Sequence, residues 1–151
     1  DDMAERVTPY LQEAGVVSTP ITPEQARLLS AAMPLVHERM NKLVEAVPML
    51  GFLFSNEVSY DEADRTALLT DEGLAIVKAA RDGLAELSEW TTAAIEGSLR
   101  HSLLDTMGLK PRVAFGPVRV AITGRRISPP LFESMELLGR EASLARLDAV
   151  L

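Results

Sequence analysis

The sequence predicts an all-helical protein, and three observations carry that expectation. Alanine and leucine dominate, aromatic residues make up only 5% of the chain, and β-branched runs are short. Proline recurs just after a capping hydroxyl, at Thr22-Pro23 and Ser128-Pro129-Pro130, which is how helices start. Apolar residues repeat at three- and four-residue spacing through several stretches. At 151 residues the chain is long enough for one domain or two small ones with a sizeable core. No apolar run approaches the roughly 20 residues needed to cross a bilayer, and no basic-then-apolar leader opens the chain. Cysteine is absent, which removes disulfides, a thiol nucleophile and cysteine-ligated metals. The expected compartment is the cytoplasm. The abrupt opening Asp1-Asp2-Met3, already helical in pattern, reads as a piece of something larger.

Taken in order, Asp2 to Ala14 predicts a helix ended by Gly15 and kinked or shortened by Pro9. Thr22 is expected as the next N-cap, with Pro23 at the first helical position and Gln25 closing a capping box. Pro34 should interrupt that helix and begin another, Leu35 to Val47. Along it Val36, Met40, Leu43, Val44 and Val47 would form one apolar stripe. Arg39 falls on the flank of that stripe, where a long side chain can lie along the core edge and present its guanidinium at a groove. Pro48 to Phe54 (PMLGFLF) is too apolar for a free linker and reads as packing between two subdomains. A turn-rich junction near Asn56 to Asp61 sets the expected boundary, giving domains 1–60 and 61–151.

Beyond the junction, Asp61, Glu62 and Asp64 bunch acids at a helix start, where the helix dipole favours them. Thr70 should cap a helix with Asp71 and Glu72 in its first turn and Val77, Ala80, Leu84 and Leu87 on one face. A further helix is expected from about Ser88, with Ile95, Leu99, Leu103 and Met107 at i, i+4 spacing and Gly108 as its stop. Trp90 reads as a core anchor. Ser128-Pro129-Pro130 then leads into a helix from Leu131 to Leu138, and after Gly139 a last helix runs from Glu141.

The segment before that turn opposes the rest of the chain in charge. The formal net charge is −7, yet Lys110, Arg112, Arg119, Arg125 and Arg126 fall between Lys110 and Arg126 without one acid. Residues 110–151 carry seven bases and four acids, a net +3; residues 1–109 carry eight bases and eighteen acids, a net −10. A basic surface on an acidic protein points to a polyanion-binding patch, against the alternative of a solvated basic face. Locally the segment is ambiguous. Val118, Val120 and Ile122 alternate with polar or small residues as a strand would, while Gly116-Pro117 could equally open a helix that closes at Gly124. The helical context favours the helix. The turn from Ile127 to Leu131 offers a hydroxyl, two rigid prolines and an apolar tip, and is expected to be exposed. Such a surface suits unstacked bases, and its plainer reading is a helix start after a tight turn.

Catalytic chemistry is hard to find. His37 and His101 stand alone without ligand-spaced partners, and no P-loop, GxGxxG, GxSxG or HExxH occurs. No catalytic residue and no metal ligand is expected in this chain.

The run AFGPVRVAITGRRISPPLFESMELLGREASLARL, Ala114 to Leu147, resembles the carboxyl end of bacterial glutamyl-tRNA synthetases. The matching blocks are Pro117 to Gly124, Pro129 to Phe132 and Leu137 to Glu141, and upstream LVHERMNKL (Leu35 to Leu43) and EWTTAAIEGSLR (Glu89 to Arg100) follow in the right order. The resemblance implies a two-part helical anticodon-binding region: a small helical subdomain followed by an α-helical cage. It implies that Arg39 reads the third anticodon base, C in tRNA(Glu) against G in tRNA(Gln). It also implies that Arg119, Ser128, Pro129, Pro130 and Leu131 contact anticodon nucleotides, with Lys110, Arg112, Arg125 and Arg126 as a supporting basic patch. The family turn often has glycine where Pro130 stands, and no shared role follows for Arg125 and Arg126. The family's nucleotide-binding histidine motif and lysine-serine loop are absent, so the ATP and Mg2+ chemistry that joins glutamate to tRNA belongs to a catalytic part outside this chain. The implied partner is tRNA(Glu), with tRNA(Gln) as an extension, for a monomer that binds neither DNA nor membrane. Two other readings stand beside it: a helical protein–protein interaction module docking through Phe52 and Phe54, and an all-helical enzyme using the acids Asp61 to Asp64.

Overall fold

The structure, a computed structural model, describes residues 2–36, 40, 42–55 and 57–151. Every regular element among them is helical. The chain divides into two compact units, Asp1–Asn56 and Glu57–Leu151.

In the first unit α1 (Asp2–Glu13) runs through Pro9, which lies on an exposed face. The capping box ahead of α2 (Pro23–Val36) forms as expected. The Gln25 N–H donates to Thr22 Oγ1 at 3.1 Å and the Thr22 N–H to Gln25 Oε1 at 3.2 Å. A 3₁₀ turn (Leu43–Glu45), the short α3 (Ala46–Leu50) and a second 3₁₀ turn (Gly51–Leu53) complete the unit. Val7 and Leu11 of α1, Leu29, Ala32, Met33 and Val36 of α2, and Ala46 and Leu50 of α3 are its buried core. The Pro48 to Phe54 block thus supplies core to this unit, with α3 packed on α1 and α2.

One expectation fails here. Pro34 does not break α2, and no continuous helix runs from Leu35 to Val47: Met40 and Lys42 are non-helical. Ser30 and Pro34 both sit on the exposed side of the last turn, so the carbonyl that proline leaves unbonded is open to water. The helix therefore runs through Pro34 to Val36. The anticipated stripe dissolves accordingly, with Val36 buried but Val44 51% exposed. Arg39 and His37 lie outside the described residues.

The second unit contains α4 (Glu62–Leu68), α5 (Asp71–Ala85), α6 (Thr92–Leu99), α7 (Pro111–Thr123), α8 (Leu131–Leu138) and α9 (Arg140–Ala149). Asp61, Thr70 and Thr91 cap α4, α5 and α6, accepting from the N–H groups of Asp64, Gly73 and Ala94. Helix α5 is the hub, packed against α6, α7 and α9. Ile76, Val77, Ala80 and Leu84 of α5 share one buried cluster with Ile95, Leu99, Leu103, Val118, Ala121, Ile122 and Leu147. Trp90 joins this core at its edge and donates from Nε1 to the Met135 carbonyl at 2.8 Å. The Arg140 guanidinium lies 5.5 Å from the centre of its ring.

Three local readings change in this unit. Helix α6 passes into a π-helical stretch, Arg100–Thr106, whose wider turn takes Met107 out of i, i+4 phase and leaves it 40% exposed. The basic segment is a helix, as its context suggested, but α7 begins at Pro111 and Pro117 lies inside it. The carbonyl that Pro117 forfeits belongs to Val113, which is 52% exposed and so open to water. Helix α8 starts at Leu131 with Pro130 as N-cap and no side-chain cap, so Ser128 does not act as one. No helix among the described residues is long and apolar enough to cross a membrane.

Candidate nucleic-acid interface

The carboxyl end of α7 builds the site. Gly124 closes the helix at φ +86°, its N–H bonded to the Val120 carbonyl at 2.8 Å. No other residue type fits there: a Cβ would stand 2.2 Å from the carbonyl oxygen of Ser59. The Thr123 hydroxyl donates to the Arg119 carbonyl (2.8 Å) and accepts from the Arg125 N–H (3.3 Å), fixing the first residue past the cap. From the opposite side the start of α4 grips the same turn. The Asp61 N–H donates to the Gly124 carbonyl at 2.9 Å. The Asp64 carboxylate accepts from the Arg126 N–H at 3.0 Å and from its Nε at 2.9 Å.

Beyond the turn, Arg119 takes over. One of its terminal guanidinium nitrogens donates to Ser128 Oγ at 2.7 Å and to the Pro129 carbonyl at 3.1 Å. Ser128 Oγ in turn donates to that same carbonyl at 2.7 Å. A knuckle results, braced at both ends, with Arg125, Arg126 and Ile127 at its exposed tip; Ile127 is 80% exposed.

The electrostatics follow the bonding. Asp64 is held below the ordinary carboxylate range, first by the Arg126 backbone N–H and then by the Arg126 and Arg125 charges. Arg146 is buried beneath the knuckle's root and donates to the Ile122 carbonyl at 2.8 Å, at the negative end of α7. Burial lowers the Arg146 pKa and raises that of nearby Tyr60, whose ring carries the Arg65 guanidinium 4.6 Å from its centre.

The expected contact residues are not all where the sequence suggested. Ser128, Pro129 and Leu131 are buried and Pro130 half-buried, so of the anticipated turn Ile127 to Leu131 only Ile127 is exposed, and the exposed tip runs from Arg125 to Ile127. Ser128 and Pro129, the two residues bonded to Arg119, are both buried. Nor do the five bases form one patch. Lys110 and Arg112 are exposed at the amino end of α7 and Arg125 and Arg126 lie past its carboxyl end. The 13 residues of α7, at about 1.5 Å each, hold the two pairs about 20 Å apart. Asp64 reads in sequence as an ordinary first-turn acid, and Arg146 is not singled out there; nothing in their local sequence marks their partners. Among the described residues no group of three or more His, Asp or Glu side chains could hold a metal ion.

Residues 2–151 match the family model described as an anticodon binding domain. The chain belongs to that anticodon-binding family. A glutamate–tRNA ligase from Nocardioides is 60% identical over 153 residues, covering 100% of this chain and 31% of its own length. One from Acidothermus cellulolyticus is 54% identical, covering 97% and 30%. This chain therefore spans about 30% of the length of the curated relatives it matches, and it corresponds to their anticodon-binding domain. The crystal structure of a glutamate tRNA ligase from Elizabethkingia meningosepticum in complex with its amino acid shares the fold at a TM-score of 0.77. It is 21% identical, with 99% of this chain and 28% of that one covered. Within this anticodon-binding domain the braced knuckle is the exposed basic feature at the carboxyl end of α7.

Proposed function

We propose that this chain recognises the anticodon of tRNA(Glu) as part of a glutamate–tRNA ligase whose catalytic part, using ATP and Mg2+, lies outside it. The observation that carries the reading is the braced basic knuckle, in a chain that matches an anticodon-binding domain over residues 2–151. Phosphates of the anticodon loop are drawn to the basic tip, and splayed bases pack where the backbone is already ordered, which lowers the entropy lost on docking. Arg119 would serve the site by bracing Ser128 and Pro129, with Pro130 and Leu131 forming the floor that the bases approach. Arg39 reads the third anticodon base, so tRNA(Glu) is preferred over tRNA(Gln). The two parts, 1–60 and 61–151, share the task within a cytoplasmic monomer.

The test is a titration of the chain with labelled anticodon stem-loops carrying C or G at the third position, at two salt concentrations. Salt-sensitive binding that prefers C supports anticodon reading with discrimination. Equal binding to both keeps the RNA role and removes Arg39 from discrimination. Binding to neither, up to about 10⁻⁴ M, rejects the reading for this chain.

A further inference from the structure

The two adjacent arginines at the tip look interchangeable in sequence but are held differently. Arg126 is committed: its backbone N–H and its Nε both reach the Asp64 carboxylate, which offsets its charge. Arg125 is exposed, and only its backbone is tied, to the Thr123 hydroxyl; among the described residues its guanidinium belongs to no ion pair. Ile127 follows at 80% exposure, above every other large exposed hydrophobic side chain among the described residues. It stands between two anchored positions, 126 held by Asp64 and 128 held by Arg119. A single exposed isoleucine on a mobile loop needs no explanation. This one is presented on backbone already fixed, beside an arginine whose guanidinium is in no ion pair among the described residues and feels Asp64 only at longer range, on a chain of formal charge −7.

We propose that Arg125 and Ile127 make the RNA contact at this tip, Arg125 on a backbone phosphate and Ile127 beneath a splayed base, while Arg126 is a positioning residue locked to Asp64. A phosphate next to an unstacked base is the chemical complement of a cation next to an apolar side chain, which commits the occupant to single-stranded nucleic acid. The inference rests on the RNA reading above and goes beyond it by dividing the two arginines. It also separates a salt-dependent contact from a salt-independent one.

The 151-residue chain and its Arg125→Ala, Arg126→Ala and Ile127→Ala variants are titrated with a labelled tRNA(Glu) anticodon stem-loop between about 50 and 200 mM salt. Melting curves check that each folds. Arg125→Ala should flatten the plot of log affinity against log salt by about 0.7 to 1, whereas Arg126→Ala should keep its slope. Ile127→Ala should weaken binding about tenfold at every salt concentration with the slope unchanged. Equal flattening by both arginine variants, or none with Arg125→Ala, overturns the division. An Ile127→Ala variant that binds as tightly as the parent overturns the apolar contact. Should Arg126→Ala melt early, Asp64→Asn releases the same lock without altering either arginine. It should then give an equal or steeper slope, and a flatter one counts against the proposal. Parent binding that is absent or indifferent to salt fails the RNA reading itself, and this inference with it.

Discussion

Asp64 and Arg126, 62 residues apart, meet through two hydrogen bonds at 3.0 and 2.9 Å, one from the backbone N–H and one from the side-chain Nε. The pairing ties the first turn of α4 to the turn that follows α7, and so converts a surface ion pair into a brace. Because its carboxyl pKa is lowered in the folded chain, Asp64 adds stability that is fully present above the ordinary aspartate range and is lost as pH falls through the folded value. Asp64→Asn should therefore be less stable than the parent at pH 7, with the gap closing toward about pH 2. Urea unfolding midpoints at both pH values check this, and a gap that persists in acid would show that the charge is not what matters.

Gly124 answers to two constraints at once, a φ of +86° and a Ser59 carbonyl 2.2 Å from where a Cβ would sit. Gly124→Ala should destabilise the protein by at least about 2 kcal/mol, from the left-handed backbone alone plus displacement of Ser59. A thermal melt reads the loss. The control is Gly97→Ala, where no atom lies within 4 Å of the added Cβ and a helical alanine should be neutral to stabilising.

Arg119→Lys tests the brace from the other side. Lysine keeps the charge, but its shorter and more flexible stem does not place an ammonium where the one guanidinium nitrogen reaches both Ser128 Oγ and the Pro129 carbonyl. The expected cost is about 1–2 kcal/mol, with faster amide hydrogen exchange confined to residues 126–128. Exchange that stays slow there would mean that packing of Leu131 and Pro129 suffices to hold the knuckle.

Arg146→Leu preserves bulk at the root of the knuckle and removes the donor to the Ile122 carbonyl. Leaving that buried acceptor unpaired at the negative end of α7 should cost about 1–3 kcal/mol. The loss should be the same at pH 5 and pH 8, since an arginine stays charged across that range. Chemical denaturation at the two pH values decides it.

The helical class, the caps at Thr22 and Thr70, and the core positions Val77, Ala80, Leu84, Ile95, Leu99 and Leu103 were all legible in the sequence. Each depends on neighbours within four residues, where periodicity and capping chemistry operate. Proline misled where its exposure mattered. Pro34 and Pro117 sit inside helices because the carbonyl each leaves unbonded belongs to an exposed residue, Ser30 or Val113. The knuckle was legible only as a basic segment with a turn. Of the turn expected from Ile127 to Leu131 only Ile127 is exposed, because Ser128 and Pro129 are bonded to Arg119, nine and ten positions earlier, and the grip on Arg126 comes from Asp64, 62 positions earlier. The apparent patch of five bases divided in two because a helix that keeps residues adjacent in sequence also spaces its ends.

The short stretch from Ser59 to Asp64 touches the knuckle three times, through the Ser59 carbonyl against Gly124, the Asp61 amide and the Asp64 carboxylate. Segments stitched in this way open together or not at all. The tip at 125–127, though it carries no regular secondary structure, should therefore have the opening free energy of the amino end of α4 and not that of a loose loop. A perturbation of either segment would be felt in the other as a change in how often both come apart.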